Sequence, residues 1–343
     1  MNKDSKIFIA GHRGLVGSAI KSELEAQGYS NLITQTHSEL DLSNQLKVEE
    51  FFAKEKPEYV FFCAAKVGGI YANNTYRADF IYQNLAIQNA MIYSAYKYGV
   101  KKLLFLGSSC IYPKNAPQPM SEDVLLTSEL EYTNEPYAIA KIAGLKMCES
   151  FNLQYGTNFL SVMPTNLYGE NDNFDLENSH VLPALIKKIH LGKLLRENNL
   201  EQIQKEIGDL SLLQKHNITQ ESITLWGSGN PRREFLHSKD MARACVFIMQ
   251  NINFKDLIEG KEEIRNTHIN IGYGEDITIK DLALLVKEIV GYEGEITFDS
   301  SKLDGTMKKL LDCSKLNSLG WKPSITLKEG VRQTYEDFLR SRK

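Results

Sequence analysis

Several classes of protein are excluded by what this chain lacks. It has only five cysteines, at 63, 110, 148, 245 and 313. An odd number at unrelated spacings builds neither a disulfide framework nor a zinc pattern, so reduced thiols and no metal are expected. No apolar run reaches the roughly 18 residues that cross a bilayer. The start, Met1-Asn2-Lys3-Asp4, leads straight into an apolar segment with no legible export signal, so a cytoplasmic location is expected. Neither sign of charge dominates: 40 Lys and Arg against 43 Asp and Glu give a net charge of -3. A nucleic-acid partner is therefore not expected, and any anion site must come from local cations. There is no internal repeat and no low-complexity stretch. What remains is an ordinary globular composition, 42% apolar and 24% charged over 343 residues. That length suits one large or two medium domains.

Apolar runs alternate with helical periodicity through the first half. Strands are predicted at 6–10, 32–35, 59–65, 102–107 and 159–163, and helices at 16–28, 48–55, 79–98 and 137–155. The run Tyr59-Val60-Phe61-Phe62-Cys63-Ala64-Ala65 is apolar throughout, as in a strand buried on both faces. Such alternation argues for a parallel sheet with right-handed crossovers. Beyond Pro164 the pattern loosens. Residues 182–215 read as helical and polar, 223–227 as a strand, and 235–238 with a helix over 239–249 as a return to the sheet side. A strand at 268–272 and helices at 279–290 and 327–340 close the chain. The fold class expected is α/β: a Rossmann-type, doubly wound parallel sheet with a smaller, discontinuous α/β substrate domain. The expected division is 1–175 plus about 235–273 for the nucleotide domain, and about 176–234 plus 274–343 for the other.

Gly11-His12-Arg13-Gly14-Leu15-Val16-Gly17 lies between the first strand and the first helix. There the first glycine permits a tight turn, the second lets backbone approach a diphosphate, and the third lets the helix pack closely. A glycine triplet alone is weak evidence; its place after a strand and before a helix sharpens it. An NAD site usually carries an acid at the end of the second strand. Here that stretch is Gln35-Thr36-His37, so Arg13 favours the 2'-phosphate of NADP(H). Asp41 either contacts the adenine or caps a helix.

Ser108 follows the fourth strand, and Tyr137 and Lys141 stand four apart on one helix face. A lysine so placed is expected to lower the phenol's pKa, and the serine to share the same substrate oxygen. Cys110, two residues past Ser108, is expected on the same face of the strand. Alone, Cys110 reads more readily as a small buried hydrophobe, and His180 as a helix cap or core group. Together the residues describe a nicotinamide enzyme that also moves protons on carbon.

At this point the chain resembles the GDP-L-fucose synthases, a family of extended short-chain dehydrogenase/reductases. The resemblance covers nearly the whole chain. It rests on Gly-His-Arg-Gly-Leu-Val-Gly (11–17), Ala-Ala-Lys-Val-Gly-Gly-Ile (64–70), Ala-Asp-Phe-Ile-Tyr-Gln-Asn (78–84) and Gly-Ser-Ser-Cys-Ile-Tyr-Pro (107–113). It rests equally on Asn-Glu-Pro-Tyr-Ala-Ile-Ala-Lys (134–141), Met-Pro-Thr-Asn-Leu-Tyr-Gly (163–169), Asn-Ser-His-Val (178–181), Trp-Gly-Ser-Gly (226–229) and Arg-Glu-Phe-Leu-His (233–237). It implies epimerisation at C3 and C5 of GDP-4-keto-6-deoxy-D-mannose, then NADPH-dependent reduction at C4. Ser108, Tyr137 and Lys141 would form the reductase triad, with Cys110 and His180 as epimerisation base and acid. Arg233 and Lys309 would meet the GDP diphosphate, and Lys188, Trp226 and Asp304 the nucleotide sugar. The cofactor positions implied are Gly11, Arg13, Gly14, Leu15, Val16, Gly17, Asp41, Leu42, Ala64, Ala65, Leu106, Lys141, Pro164, Asn166, Leu167 and His180. A homodimer through a four-helix bundle of 79–98 and 137–155 is implied as well.

Three departures stand out. Lys188 and His37 occupy positions where the family commonly has arginine, and 194–221 reads as an added insert, helical over 200–215. The alternatives are another nucleotide-sugar 4-epimerase or 4,6-dehydratase, or a non-catalytic dinucleotide sensor. A dehydratase wants a carboxylate pair where this chain has Cys110-Ile111, and a sensor usually loses the Tyr or the Lys.

Overall fold

The computed structural model describes residues 1–302 and 304–342. Strands follow in chain order as Ile7–Ala10 (β1), Leu32–Ile33 (β2), Tyr59–Phe62 (β3), Lys102–Leu106 (β4), Phe159–Pro164 (β5) and Asn166–Tyr168 (β6). Ser222–Trp226 (β7), Arg232–His237 (β8), Ile269–Ile271 (β9), Asp276–Thr278 (β10), Glu295–Asp299 (β11) and Lys308–Lys309 (β12) complete them. The main sheet is wholly parallel, in the order β2-β1-β3-β4-β5-β9. Successive strand residues face opposite sides, and the core divides accordingly. Phe8, Val60, Phe62, Leu103, Phe105 and Phe159 pack on one side with the helices Gln45–Glu55, Arg77–Lys97 and Glu135–Tyr155. Ile7, Ile9, Phe61, Leu104, Leu160 and Ile269 pack on the other, under Leu15–Ala26 and Ser238–Asn251. The chain reverses direction across the sheet between β1 and β3, and crevices at such reversals hold ligands.

Where strand ends differ from the sequence pattern, a side chain explains it. The β3 run stops at Phe62 because the buried Asn84 amide accepts from Lys66 N and donates to Lys66 O, turning 63–66 away from the sheet. Residues 182–215 are not one polar helix. Val181–Arg196 is largely buried, and Asn198 with positive φ then breaks the chain. Asn199 starts Leu200–Ile207 by accepting from Gln202 N, and Ser211–Lys215 follows. Nor does β8 return to the main sheet. It pairs with β6 and β12 in parallel and with β10 antiparallel; its Leu236 and the helix after it nonetheless pack in the second core, against the main sheet.

A third core joins Val181–Arg196, Ile279–Val290 and Leu327–Arg340 with the parallel pair β7–β11. Leu311 and Cys313 pack in the first core, and Leu316 and Trp321 in the second. The stretch 311–321, which the sequence reading groups with the second domain, thus packs on the main sheet. No helix among the described residues is long and apolar enough to cross a membrane.

Candidate active site

The glycine turn is built by close contacts. Gly11 has φ +87°, and a Cβ there would lie 2.9 Å from Ala64 N, so the ends of β1 and β3 press together. A Cβ on Gly17 would lie 2.2 Å from Gly11 O, which seats the first helix directly on the turn. Gly14 caps that helix with no side chain covering the cap and no acid in the first turn. Its missing Cβ faces open space but for Gly11 O at 3.6 Å. Free N–H groups at a helix end, beside backbone with no side chain, fit a diphosphate.

Arg13 lies exposed beside this turn. The stretch 35–37 carries no acid, but Glu39 comes within electrostatic reach of Arg13. Glu39 is held below the usual carboxylate range chiefly by hydrogen bonds from Thr36 N (2.7 Å) and Thr36 Oγ1 (2.8 Å). The sequence reading missed it because it lies past the strand end. Asp41 does not cap the helix, whose N-cap is Asn44; it accepts from Ser43 N and Ser43 Oγ in the turn before it. Leu42 packs against the first core, and Leu167 against the second. Ala65 follows Ala64 out of β3; Pro164 ends β5, and Asn166 donates to Glu234 O.

Ser108 and Cys110 do not share a strand face. β4 ends at Leu106, and Ser109–Ile111 is a single 3₁₀ turn whose cap, Ser108, accepts from Cys110 N at 3.4 Å. The turn still keeps the two side chains together. Lys141, only 3% exposed, donates to Leu106 O at 2.7 Å and lies 5.8 Å from the Tyr137 ring centre. Phe80 meets Tyr137 edge-on at 6.2 Å. Burial lowers the Lys141 ammonium to about 8, opposed by Cys110 and Cys63.

The expected tuning of Tyr137 by Lys141 is not what dominates. Burial pushes the phenol well above its ordinary value, the Cys110 charge adds to this, and the Ser108 hydroxyl pulls it back. Cys110 is likewise raised by burial, and drawn down by Ser108, then Lys309, then Lys141. Cys63, half-buried and within electrostatic reach of Lys141, is pushed up to about 12 by desolvation, which disfavours it as a nucleophile.

His180 caps Val181–Arg196 with its backbone, leaving the imidazole free of any cap bond. The residue is exposed, and partial desolvation of the ring by its surroundings lowers its pKa. The preceding Asn178 and Ser179 carbonyls lie 3.6 Å from where a Cβ on Gly69 would stand, so this loop abuts the one following β3. Lys309 and Arg233 are register partners on β12 and β8. Burial opposes the charge of each, Arg233 further destabilises the Lys309 ammonium, and Cys110 stabilises it. Glu234, fully buried beside Arg233, accepts from Gly274 N (2.7 Å) and Leu311 N (3.1 Å). It thereby ties the end of β12 to β8, a role with no sequence signature.

Lys188 is half-buried and forms no salt bridge among the described residues; burial lowers its pKa. Trp226 ends β7 with 73% of its surface exposed, Lys302 Nζ lying 5.8 Å from its ring centre. Asp304 accepts from Ser228 N (2.9 Å) and Ser228 Oγ (2.6 Å), fixing the turn beside that indole. A cavity of about 870 Å³ lies elsewhere, between 169–177, the insert at Glu206, Ile207 and Leu212, and the C-terminal helix. The chemistry, not the volume, marks the site.

The model of the NAD dependent epimerase/dehydratase family matches residues 7–272. The chain belongs to that family. Within it, the chain is 54% identical to GDP-L-fucose synthase 1 of Arabidopsis thaliana, covering 99% of this chain and 95% of that one. Among solved structures it is 48% identical to a GDP-6-OMe-4-keto-L-xylo-heptose reductase from C. jejuni, with TM-score 0.96 and 99% of both chains covered. It is also 47% identical to a GDP-mannoheptose C4 reductase from Campylobacter jejuni with NADP bound, with TM-score 0.87 and the same coverage.

Proposed function

We propose that the chain converts GDP-4-keto-6-deoxy-D-mannose to GDP-L-fucose, by epimerisation at C3 and C5 and then reduction at C4. The observation that carries this is the setting of Cys110, with the Lys309–Arg233 pair on one side and Ser108, Tyr137 and Lys141 on the other. Two adjacent half-buried cations call for a dianion, and a sugar diphosphate supplies one. The exposed Trp226 offers its flat face to the nucleotide, with Asp304 and Lys188 as further contacts.

A ketone at C4 acidifies the C–H bonds at C3 and C5. Cys110, as thiolate, takes the proton from carbon, and His180 returns one on the opposite face. The negative oxygen of the enolate faces the hydroxyls of Ser108 and Tyr137. The same two hydroxyls then hold the ketone, and Tyr137 delivers the proton to the C4 oxygen. NADPH, when bound, supplies the hydride. The residues fit that cofactor: the Gly11–Gly17 cradle takes the diphosphate, Arg13 the 2'-phosphate, and Lys141 the nicotinamide ribose.

The main-sheet unit holds the cofactor and the third core with β7, β8 and β12 holds the nucleotide sugar. Two copies pair through Arg77–Lys97 and Glu135–Tyr155; exposed Tyr82, Tyr93, Ile139 and Leu153 on these helices support this. All five cysteines are free, which suits the cytoplasm.

A second reading is a GDP-linked 4-keto heptose as substrate, favoured by the two Campylobacter relatives. It uses the same residues. Incubating the purified chain with GDP-4-keto-6-deoxymannose, and separately with a GDP-4-keto heptose, with NADPH or NADH, decides between them. GDP-L-fucose with stoichiometric NADPH loss is the expected product. Turnover of the heptose alone would favour the second reading, and no net NADPH loss would return the chain to the 4-epimerases or dehydratases.

A further inference from the structure

The insert is not a free-standing addition. Its first helix, Leu200–Ile207, carries Glu206, whose side chain is 3% exposed. Glu206 accepts from Lys187 Nζ at 2.5 Å, His190 Nε2 at 3.2 Å and Gln202 Nε2 at 2.9 Å, with Arg342 Nη1 at 3.5 Å. His190 continues the chain through Nδ1 to the Tyr335 hydroxyl at 3.0 Å. One carboxylate therefore joins the insert, Val181–Arg196 and the C-terminal helix. Lys187 is as buried as its partner, and a buried ammonium tolerates no loss of its counter-charge. Hydrogen bonds from His190, Gln202 and Lys187 outweigh the burial that alone would raise Glu206, so it stays ionised.

The helix so gripped carries two residues of the proposed site. His180 is its N-cap, roughly 10 Å along the axis from Lys187 at 1.5 Å per residue. Lys188 follows Lys187 and points about 100° away around the helix, out of the grip. The far end of the insert holds the other flank, since Lys215 pairs with Glu177, three residues before His180.

We propose that Glu206 is a positioning residue: it fixes Val181–Arg196, and through that helix the imidazole of His180 and the ammonium of Lys188. This rests on the assignment of His180 to proton transfer and Lys188 to the nucleotide. A carboxylate in the insert thus sets how well the epimerisation acid meets the sugar ring, without touching substrate. Small misplacements of this kind are costly to rate.

The test uses the full chain with Glu206→Gln and Glu206→Asp. Glu206→Gln should slow solvent-deuterium entry at C3 and C5 by about tenfold or more and raise KM for the GDP sugar, while NADPH affinity, which rests mainly on the Gly11–Gly17 turn and Arg13, changes far less. Glu206→Asp, keeping the charge, should recover part of the rate. Amide hydrogen exchange over 178–188 should quicken in Glu206→Gln, with β1, β3 and β4 as protected as in the parent. Unchanged kcat and KM, or an equal fall in NADPH affinity, overturns the proposal. If the parent chain itself exchanges no C3 or C5 proton, the functional assignment fails. Amide exchange over 178–188 then decides the positioning by itself, and unaltered protection there overturns it.

Discussion

Lys309 and Arg233 stand opposite each other on neighbouring parallel strands, and the lysine lies within electrostatic reach of the Cys110 sulfur. Like charges do not settle side by side at half-burial without an anion to meet them. If the pair holds the diphosphate as proposed, it links that grip to the state of the thiol, because Lys309 ranks above Lys141 among the cations that draw the Cys110 pKa down.

Arg233→Ala should therefore raise KM for the GDP sugar about 10- to 100-fold, the range for loss of a charge-assisted hydrogen bond, with kcat changed far less. Lys309→Met should do the same and also slow proton exchange at carbon, since the thiol loses a stabilising cation. Steady-state kinetics with GDP as competitor separates the two effects.

Cys110→Ser should abolish exchange of the C3 and C5 protons with solvent and leave NADPH binding intact. A hydroxyl of the same shape lacks an accessible anion. Because burial raises the thiol's pKa, exchange in the parent should rise with pH above neutrality. Deuterium entry followed by mass spectrometry checks both, and undiminished exchange in the serine variant removes Cys110 from the mechanism.

Tyr137→Phe should lose reduction by a far larger factor than epimerisation. Ser108 remains to face the enolate oxygen, whereas delivery of the proton to the C4 oxygen is the step assigned to Tyr137. Parallel loss of NADPH oxidation and deuterium entry would mean that the enolate depends on the phenol as much as hydride transfer does.

The parts legible from the chain are those set by local geometry. Gly11 and Gly17 are required by contacts within seven residues and across to Ala64, and Tyr137 and Lys141 share a face by helical spacing. The parts missed depend on what burial and distant partners do. Residues 182–215 read as one polar helix partly because Lys187, His190 and Lys193 are charged or polar, yet each finds a partner on another element. Glu234 and Glu206 act only through strands and helices that the sequence does not bring together. The spacing that marks Tyr137 and Lys141 carries no measure of the burial that governs their pKa values.

Cofactor preference turns on Arg13 and the acid near it. Arg13→Ala should weaken NADPH about tenfold or more and leave NADH little changed, since only the former carries the 2'-phosphate. Glu39→Gln should move preference further toward NADPH by removing the carboxylate within reach of Arg13. Cofactor titrations of both variants check the signs.

The role proposed for Lys141 in reduction and its cost to the fold can be separated. Its folded pKa, about 8, lies below the ordinary lysine value of 10.5. Between those values the unfolded chain binds more protons than the native one, so the native state gains stability as pH rises from 8 toward 10.5. Below pH 8 the full cost of the buried charge is present. Lys141→Met should remove that cost, worth at most about 3 kcal/mol, less roughly 1 kcal/mol for the Leu106 carbonyl left without its donor. At pH 7 the variant should melt a few degrees above the parent and reduce no substrate. The gap in melting temperature should shrink as pH climbs from 8 to 10. A variant less stable than the parent at pH 7, or a gap that widens with pH, contradicts the assignment.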